Sequence, residues 1–233
     1  GSASSNSNGT ITSSVSANTK AGFSIVSYTG NATAGATVGH GLSSTPEMYI
    51  VKSRSLTTGW VTYHKDMASS PEDGYLVLNG TDAFFDTVVW NDTAPTSSVF
   101  SLGGTGYSSN NSGATYIAYC FHSVEGYSKF GSYTGNGSTD GPFVYTGFRP
   151  ALVIVKNITG SESWGIGDSV RDPSNVLLNR LYPNLSNAEY STGDWLDLVS
   201  NGFKSRGSAF NTSSATYIYL AFAEQPFKYS NAR

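Results

Sequence analysis

The sequence predicts an all-β protein made of two tandem, homologous antiparallel β-sandwich modules, jelly-roll or lectin-like, that arose by internal duplication. Three observations predict it. Short runs rich in Val, Ile, Tyr, Phe and Thr recur about every 10 to 15 residues between clusters of Gly, Asn, Asp, Ser and Pro, the spacing of sandwich strands and their turns. The pentapeptide Ser27-Tyr28-Thr29-Gly30-Asn31 returns letter for letter at Ser132-Tyr133-Thr134-Gly135-Asn136, with its flanks in step. Only 12% of the 233 residues are charged, while Gly, Ser, Thr, Asn and Tyr are abundant, a profile of extracellular or virion β-proteins.

The repeat extends well beyond the pentapeptide. Pro46, Ile50, Val51 and Lys52 lie over Pro150, Ile154, Val155 and Lys156, and Trp60 lies over Trp164. Leu76, Asn79 and Trp90 lie over Leu181, Asn184 and Trp195, so all four tryptophans fall into two pairs. Ala114-Thr115-Tyr116-Ile117 lies over Ala215-Thr216-Tyr217-Ile218. The offset slips from 105 at Tyr28/Tyr133 to 101 at Tyr116/Tyr217, so the first copy is longer in the interval after the second tryptophan. We therefore expect a Ser/Thr/Asn-rich lead-in over 1–21, whose Gly1-Ser2 resembles a tag remnant, then repeats over 22–127 and 128–233. One larger sandwich of two pseudo-symmetric halves is the alternative.

Taken in order, strands are expected near 22–28, 46–53, 59–64, 74–79, 85–90, 98–102 and 114–122 in the first copy. The second mirrors them, beginning near 128–134 and ending near 214–222. The uninterrupted Ile50-Val51 and Val153-Ile154-Val155 suggest central strands buried on both faces. Only 171–185, RDPSNVLLNRLYPNL, has room for a helical turn, which Pro173 and Pro183 limit.

Several function classes are disfavoured. A net charge of -3 with scattered Lys and Arg leaves no basic patch for nucleic acid. The single cysteine, Cys120, excludes an intrachain disulfide and lies in an apolar run, where a buried, inert thiol is expected. No run approaches the length of a membrane span and no signal peptide is visible, so membrane insertion is not expected. His40, His64 and His122 lack the spacing of a metal site and lack counterparts in the second copy, so structural or surface roles are expected. There is no G-x-S-x-G elbow, calcium loop or phosphate-binding loop, and Gly103-Gly104-Thr105-Gly106 lacks the lysine that would make it one. The carboxylates Asp66, Glu72, Asp73, Asp82, Asp86, Asp168, Asp172, Asp194 and Asp197 show no spacing that implies a catalytic pair. We expect no catalytic residue, cofactor or metal.

The remaining chemistry suits recognition. Fifteen tyrosines among Ser, Gly and Asn offer rigid contact area with a hydrogen-bonding tip, and a sugar needs an aromatic face for its CH surface and amides for its hydroxyls. Positions where the copies differ are the better candidates, and the largest difference is the stretch 91–113, whose Gly/Ser/Asn run 103–113 carries Tyr107, Asn110 and Asn111. Trp60, Trp164 and Tyr63 complete the ligand-binding candidates, although repeated tryptophans also suit the architectural centre of a sandwich.

The segments GFSIVSYTGN and FGSYTGNGSTDGPFVYTGFRP, with TYIYLAFAEQPFKYSNAR, resemble a C-terminal module of bacteriophage tail proteins, over about Gly9 to Arg233. The resemblance implies a tail-fibre or tail-tip part on the virion that contacts the host. It implies binding to a cell-surface glycan or protein, packing against other tail subunits, and assembly as a homotrimer. A purely structural virion component, a spacer or capsid decoration, is the alternative, and a glycan depolymerase is the third reading.

Overall fold

The computed structural model describes residues 1–225. It is all-β, with a single 3-10 turn at Pro71–Asp73 among the described residues. The chain divides into two compact units, Gly1–Gly80 with Phe84–His122, and Thr81–Ala83 with Ser123–Arg233. The last eight positions of the expected second repeat, 226–233, lie outside the described residues.

The first unit contains β1 (Ser4–Asn6), β2 (Ser13–Asn18), β3 (Phe23–Thr29), β4 (Ala36–Gly39), β5 (Met48–Ser53), β6 (Val61–His64), β7 (Gly74–Val77), β8 (Phe85–Asp86), β9 (Val99–Leu102) and β10 (Thr115–Phe121). Eight of these form one antiparallel sheet in the order β1-β2-β3-β10-β5-β6-β7-β8, and β4 pairs with β9 as a second, small sheet. Inward residues alternate along each strand as period two requires, and β10 buries Tyr116, Ala118 and Cys120. Tyr49 stacks on Tyr63 at 4.6 Å and on Phe100 at 5.0 Å, and meets Trp90 edge-on at 4.7 Å. Phe100, from the small sheet, joins the two layers, and its burial is worth about 1.5–3 kcal/mol.

The second unit contains β11 (Ser128–Thr134), β12 (Phe143–Tyr145), β13 (Pro150–Asn157), β14 (Gly165–Asp168), β15 (Leu196–Val199), β16 (Gly202–Ser205) and β17 (Thr216–Ala223). A four-stranded sheet, β11-β17-β13-β14, and a three-stranded sheet, β12-β16-β15, are both antiparallel. Between them lies a sandwich-like core in which Tyr133, Val153, Val155 and Tyr217 meet Val144, Leu196, Leu198 and Phe203.

Most strands lie close to where residue pattern places them, but the one expected over 85–90 is only Phe85–Asp86, and the second-copy counterparts of 74–79 and 85–90 are isolated bridges at Arg180, Leu181 and Tyr190. Three further differences stand out. The lead-in is part of the first unit's sheet: Ile11, Ser13 and Val15 turn inward while Thr12 and Ser14 face out, so period two holds even though most of its residues are Ser, Thr and Asn. Ala36–Gly39 forms a strand whose small residues give little apolar signal. The stretch 171–185 forms no helical turn, and only isolated bridges tie it to the sheet.

His40 is buried and structural. Its Nδ1 accepts from the Leu42 amide at 3.1 Å, which leaves Nε2 to donate to the Thr96 carbonyl at 3.1 Å. His64 is also buried, its Nδ1 accepting from the Asp66 amide at 3.1 Å.

Two buried titratable groups give the units opposite responses to alkali. Burial pushes the Cys120 thiol of the first unit from 9.0 up to about 12, against a hydrogen bond with Ser24. Burial pulls the Lys156 ammonium of the second unit from 10.5 down to about 8, against the attraction of Glu162 and Asp82, although Lys156 Nζ donates to the carbonyls of Asn157 at 2.6 Å and Thr81 at 3.1 Å. Above about pH 8 unfolded Lys156 binds more protons than folded Lys156, so stability rises with pH. Above 9.0 unfolded Cys120 binds fewer than folded Cys120, so stability falls. Tyr28 and Tyr133, raised chiefly by burial, add losses above 10 in both units. Pulse proteolysis along a urea series from pH 7 to 10 should show the second unit's midpoint rising above pH 8 while the first unit's falls above pH 9. Lys156→Met should flatten the first trend and Cys120→Ala the second.

Candidate functional site

The site is organised by the repeated pentapeptide. Tyr28, on β3, stacks on Tyr116 of β10 at 5.1 Å with 16° between ring planes, and its hydroxyl donates to the Ser109 carbonyl at 2.7 Å. Tyr116 accepts from the Asn111 amide at 2.9 Å. The second unit matches this geometry: Tyr133 stacks on Tyr217 at 5.1 Å and 13°, Tyr133 donates to the Phe210 carbonyl at 2.7 Å, and Tyr217 accepts from the Thr212 amide at 3.0 Å. Gly30 and Gly135 allow the loops to close on the strand end, since a Cβ would stand 2.5 Å from the Asn111 carbonyl oxygen at Gly30 and 2.2 Å from that of Thr212 at Gly135.

A buried asparagine completes each clasp. Asn110 Oδ1 accepts from the Asn31 amide at 3.0 Å, and its Nδ2 donates to the carbonyls of Thr33 at 2.9 Å and Gly103 at 2.8 Å. Asn211 Oδ1 accepts from the Asn136 amide at 2.9 Å, and its Nδ2 donates to the Ser138 carbonyl at 2.7 Å. Asn110 is therefore a fastening for loop 103–113, with its side chain engaged by backbone on both sides. Asn111 is half-buried, and its side chain accepts only a long contact from the Gly106 amide at 3.4 Å.

The other sequence-derived candidates separate into core and rim. Trp164 and Tyr63 are buried, as are Trp90 and Trp195, so three of the four tryptophans are architectural. Trp60 is half-buried and stacks on Tyr119 at 6.4 Å, while its amide donates to Asn79 Oδ1 at 2.8 Å. The Trp164 amide makes the same bond to Asn184 at 3.1 Å.

Tyr107 is half-buried and lines a groove of about 260 Å³ with Val61, Tyr75, Val77 and Phe85. The sheet supplies its floor as cross-strand pairs, Val61 opposite Val77 and Tyr75 opposite Phe85, with the last two rings edge-on at 5.8 Å. Phe85 is 59% exposed.

The second unit has a groove at the same place. Arg180 bridges Tyr190 as Tyr75 pairs with Phe85, both pairs offset by 105, and Tyr182 stands where the first unit has Val77. This groove, about 460 Å³, is lined by Arg180, Tyr182, Tyr190, Phe210, Glu162 and Asn187. Residue pattern did not single it out, because its aromatics are far apart in the chain. The available signal was an arginine at the repeat position of Tyr75.

Carboxylates in the second unit hold local structure. Asp172 accepts from the amides of Leu178 at 3.1 Å and Asn179 at 2.7 Å, and Asp197 pairs with Arg206 at 2.7 Å. Burial alone would raise the Asp168 carboxyl, but hydrogen bonds from the Arg171 amide and guanidinium outweigh it and lower its pKa. Among the described residues, no group of three or more His, Cys, Asp or Glu could hold a metal ion, and no helix is long and apolar enough to cross a membrane.

The clasp predicts a contrast within one loop. Asn110→Ala removes three hydrogen bonds to backbone and leaves the buried Gly103 carbonyl without its side-chain donor, and should destabilise the first unit by about 1–3 kcal/mol in urea unfolding. Asn111→Ala, one residue away, should stay within about 0.5 kcal/mol of the parent.

No curated protein and no solved structure matches the chain at a significant level. Residues 1–226 match the family model described as "Domain of unknown function (DUF7483)", and the chain belongs to that family.

Proposed function

We propose that this chain is a non-enzymatic recognition module of a bacteriophage tail fibre or tail tip, exposed on the virion, that binds a saccharide of the host cell surface in its aromatic grooves. The observation that carries the reading is that one groove position recurs in both units with different linings. Cross-strand pairs build the floor each time, and a loop fastened by a tyrosine and a buried asparagine stands beside it. We read the units as copies of one ancestral module, whose fastening has been kept while the ring-bearing positions have changed. Walls of tyrosine and phenylalanine match the CH-rich face of a pyranose, and a largely preformed frame limits the ordering cost of binding. The tail location and a homotrimeric assembly rest on the resemblance of the residues around both pentapeptides.

A structural role as a subunit spacer is favoured by one feature of the second unit. Phe143 and Tyr145 lie on edge strand β12, 49% and 64% exposed, beside an open row of backbone groups. If this edge serves assembly, the double variant Phe143→Ser/Tyr145→Ser should lower the molar mass seen by light scattering while leaving saccharide binding intact.

Binding is tested with a glycan array and host-cell pull-down using the full chain. The expected outcome is retention of a defined glycan class, weakened at least about tenfold by pairing Tyr107→Ala with Tyr190→Ala, since stacked rings are worth about 0.5–1.5 kcal/mol each beyond their buried area. Retention of no glycan, or binding indifferent to both substitutions, would overturn the reading.

A further inference from the structure

We propose that the groove of the second unit binds a carboxylate-bearing sugar, with Arg180 as its anion anchor. This rests on the reading that the grooves are saccharide sites, and adds the charge of the ligand.

Arg180 is 6% exposed, yet no ion pair involves it among the described residues. Its guanidinium carbon lies 4.8 Å from the ring centre of Tyr190, 5.3 Å from Trp195, and 5.4 Å from both Tyr182 and Phe210. Nε donates to the Tyr182 hydroxyl at 2.9 Å, while Nη1 is shielded from water and has no hydrogen-bond partner. A guanidinium stays charged across the biological pH range, and ring faces compensate a buried cation only in part. Arg180 and three of these rings line the groove of about 460 Å³, so a guanidinium outside any ion pair stands at a cavity of small-ligand size with stacking surfaces already in place.

The chemistry narrows the anion. One guanidinium balances one negative charge, and Glu162 on the same lining opposes any excess, which disfavours a dianionic phosphate monoester. A planar carboxylate matches the planar fork of Arg. Asn187, also on the lining, suits sugar hydroxyls. The first unit is an internal comparison, because Tyr75 takes the place of Arg180 and its groove has no charged lining residue.

The test is calorimetric titration of the full chain with three probes: a glucuronic-acid-containing oligosaccharide, the same oligosaccharide with its carboxyl groups reduced to alcohols, and an oligosaccharide whose single charge is a phosphodiester. The acid form should bind, and the carboxyl-reduced form should bind about 10- to 100-fold more weakly, as loss of a charge-assisted hydrogen bond implies. Arg180→Gln should remove this preference, with its thermal unfolding recorded alongside. Glu162→Gln should tighten the acid form a fewfold in the parent chain and should not restore the acid preference to Arg180→Gln. Equal binding of acid and reduced forms, or an acid preference that survives Arg180→Gln, overturns the anchor and leaves the saccharide reading standing. Tighter binding of the phosphodiester overturns the carboxylate assignment. Failure of all three probes, together with an empty glycan array, overturns both.

Discussion

The structure depends on a hydroxyl that closes a long loop. Tyr28 and Tyr133 each reach from a sheet strand to a carbonyl about eighty residues further on, at 2.7 Å in both units. Closing so long a loop has an entropic cost, and one hydrogen bond between uncharged groups does not offset it. The stacked partner rings, the buried asparagine and the close approach at Gly30 and Gly135 act together with it. Each adds a hydrogen bond or close packing at the same point, and all of these features occur in both units. The rim residues beside each groove, Tyr107 in one unit and Phe210 in the other, hold their places because this fastening holds.

Much of the fold was legible because period two needs only local information. The strands around Ile50, Tyr116 and Phe130 announce themselves through branched and aromatic residues, and the repeated pentapeptide marked the matching position in each half. What was hard to see came from tertiary context. Asn110 and Asn111 look alike as loop amides, yet one is enclosed by three backbone partners and the other is only half-buried. Burial of a polar side chain is a property of what closes over it, and no short window encodes that. Trp164 and Tyr63 met the same ambiguity in reverse, since a ring that can stack on a sugar can equally fill a core. Arg180 was harder still, because the rings around it come from positions 182, 190, 195 and 210.

The two grooves show how one frame can hold different chemistry. A cross-strand pair fixes where two side chains meet but not which side chains they are. Tyr75 opposite Phe85 makes an apolar floor, whereas Arg180 opposite Tyr190 puts a cation among rings. Leu76 and Leu181, which lie between those positions, are bridged to Thr62 and Ile166 respectively and are leucine in both units, although Leu76 is buried and Leu181 is exposed.

Charge sharpens the contrast. With 12% charged residues, the chain sets few ions around any given one, and the ion pairs of the second unit involve Arg149, Arg171, Lys204 and Arg206. Arg180 stands apart from them. Replacing a buried ion with an apolar residue of similar volume is often neutral or stabilising, so folding alone gives little reason to keep a guanidinium where the other unit has tyrosine. A cation held among rings with an unbonded Nη1 is poorly explained as a structural element and well explained as half of an interaction whose other half arrives from outside.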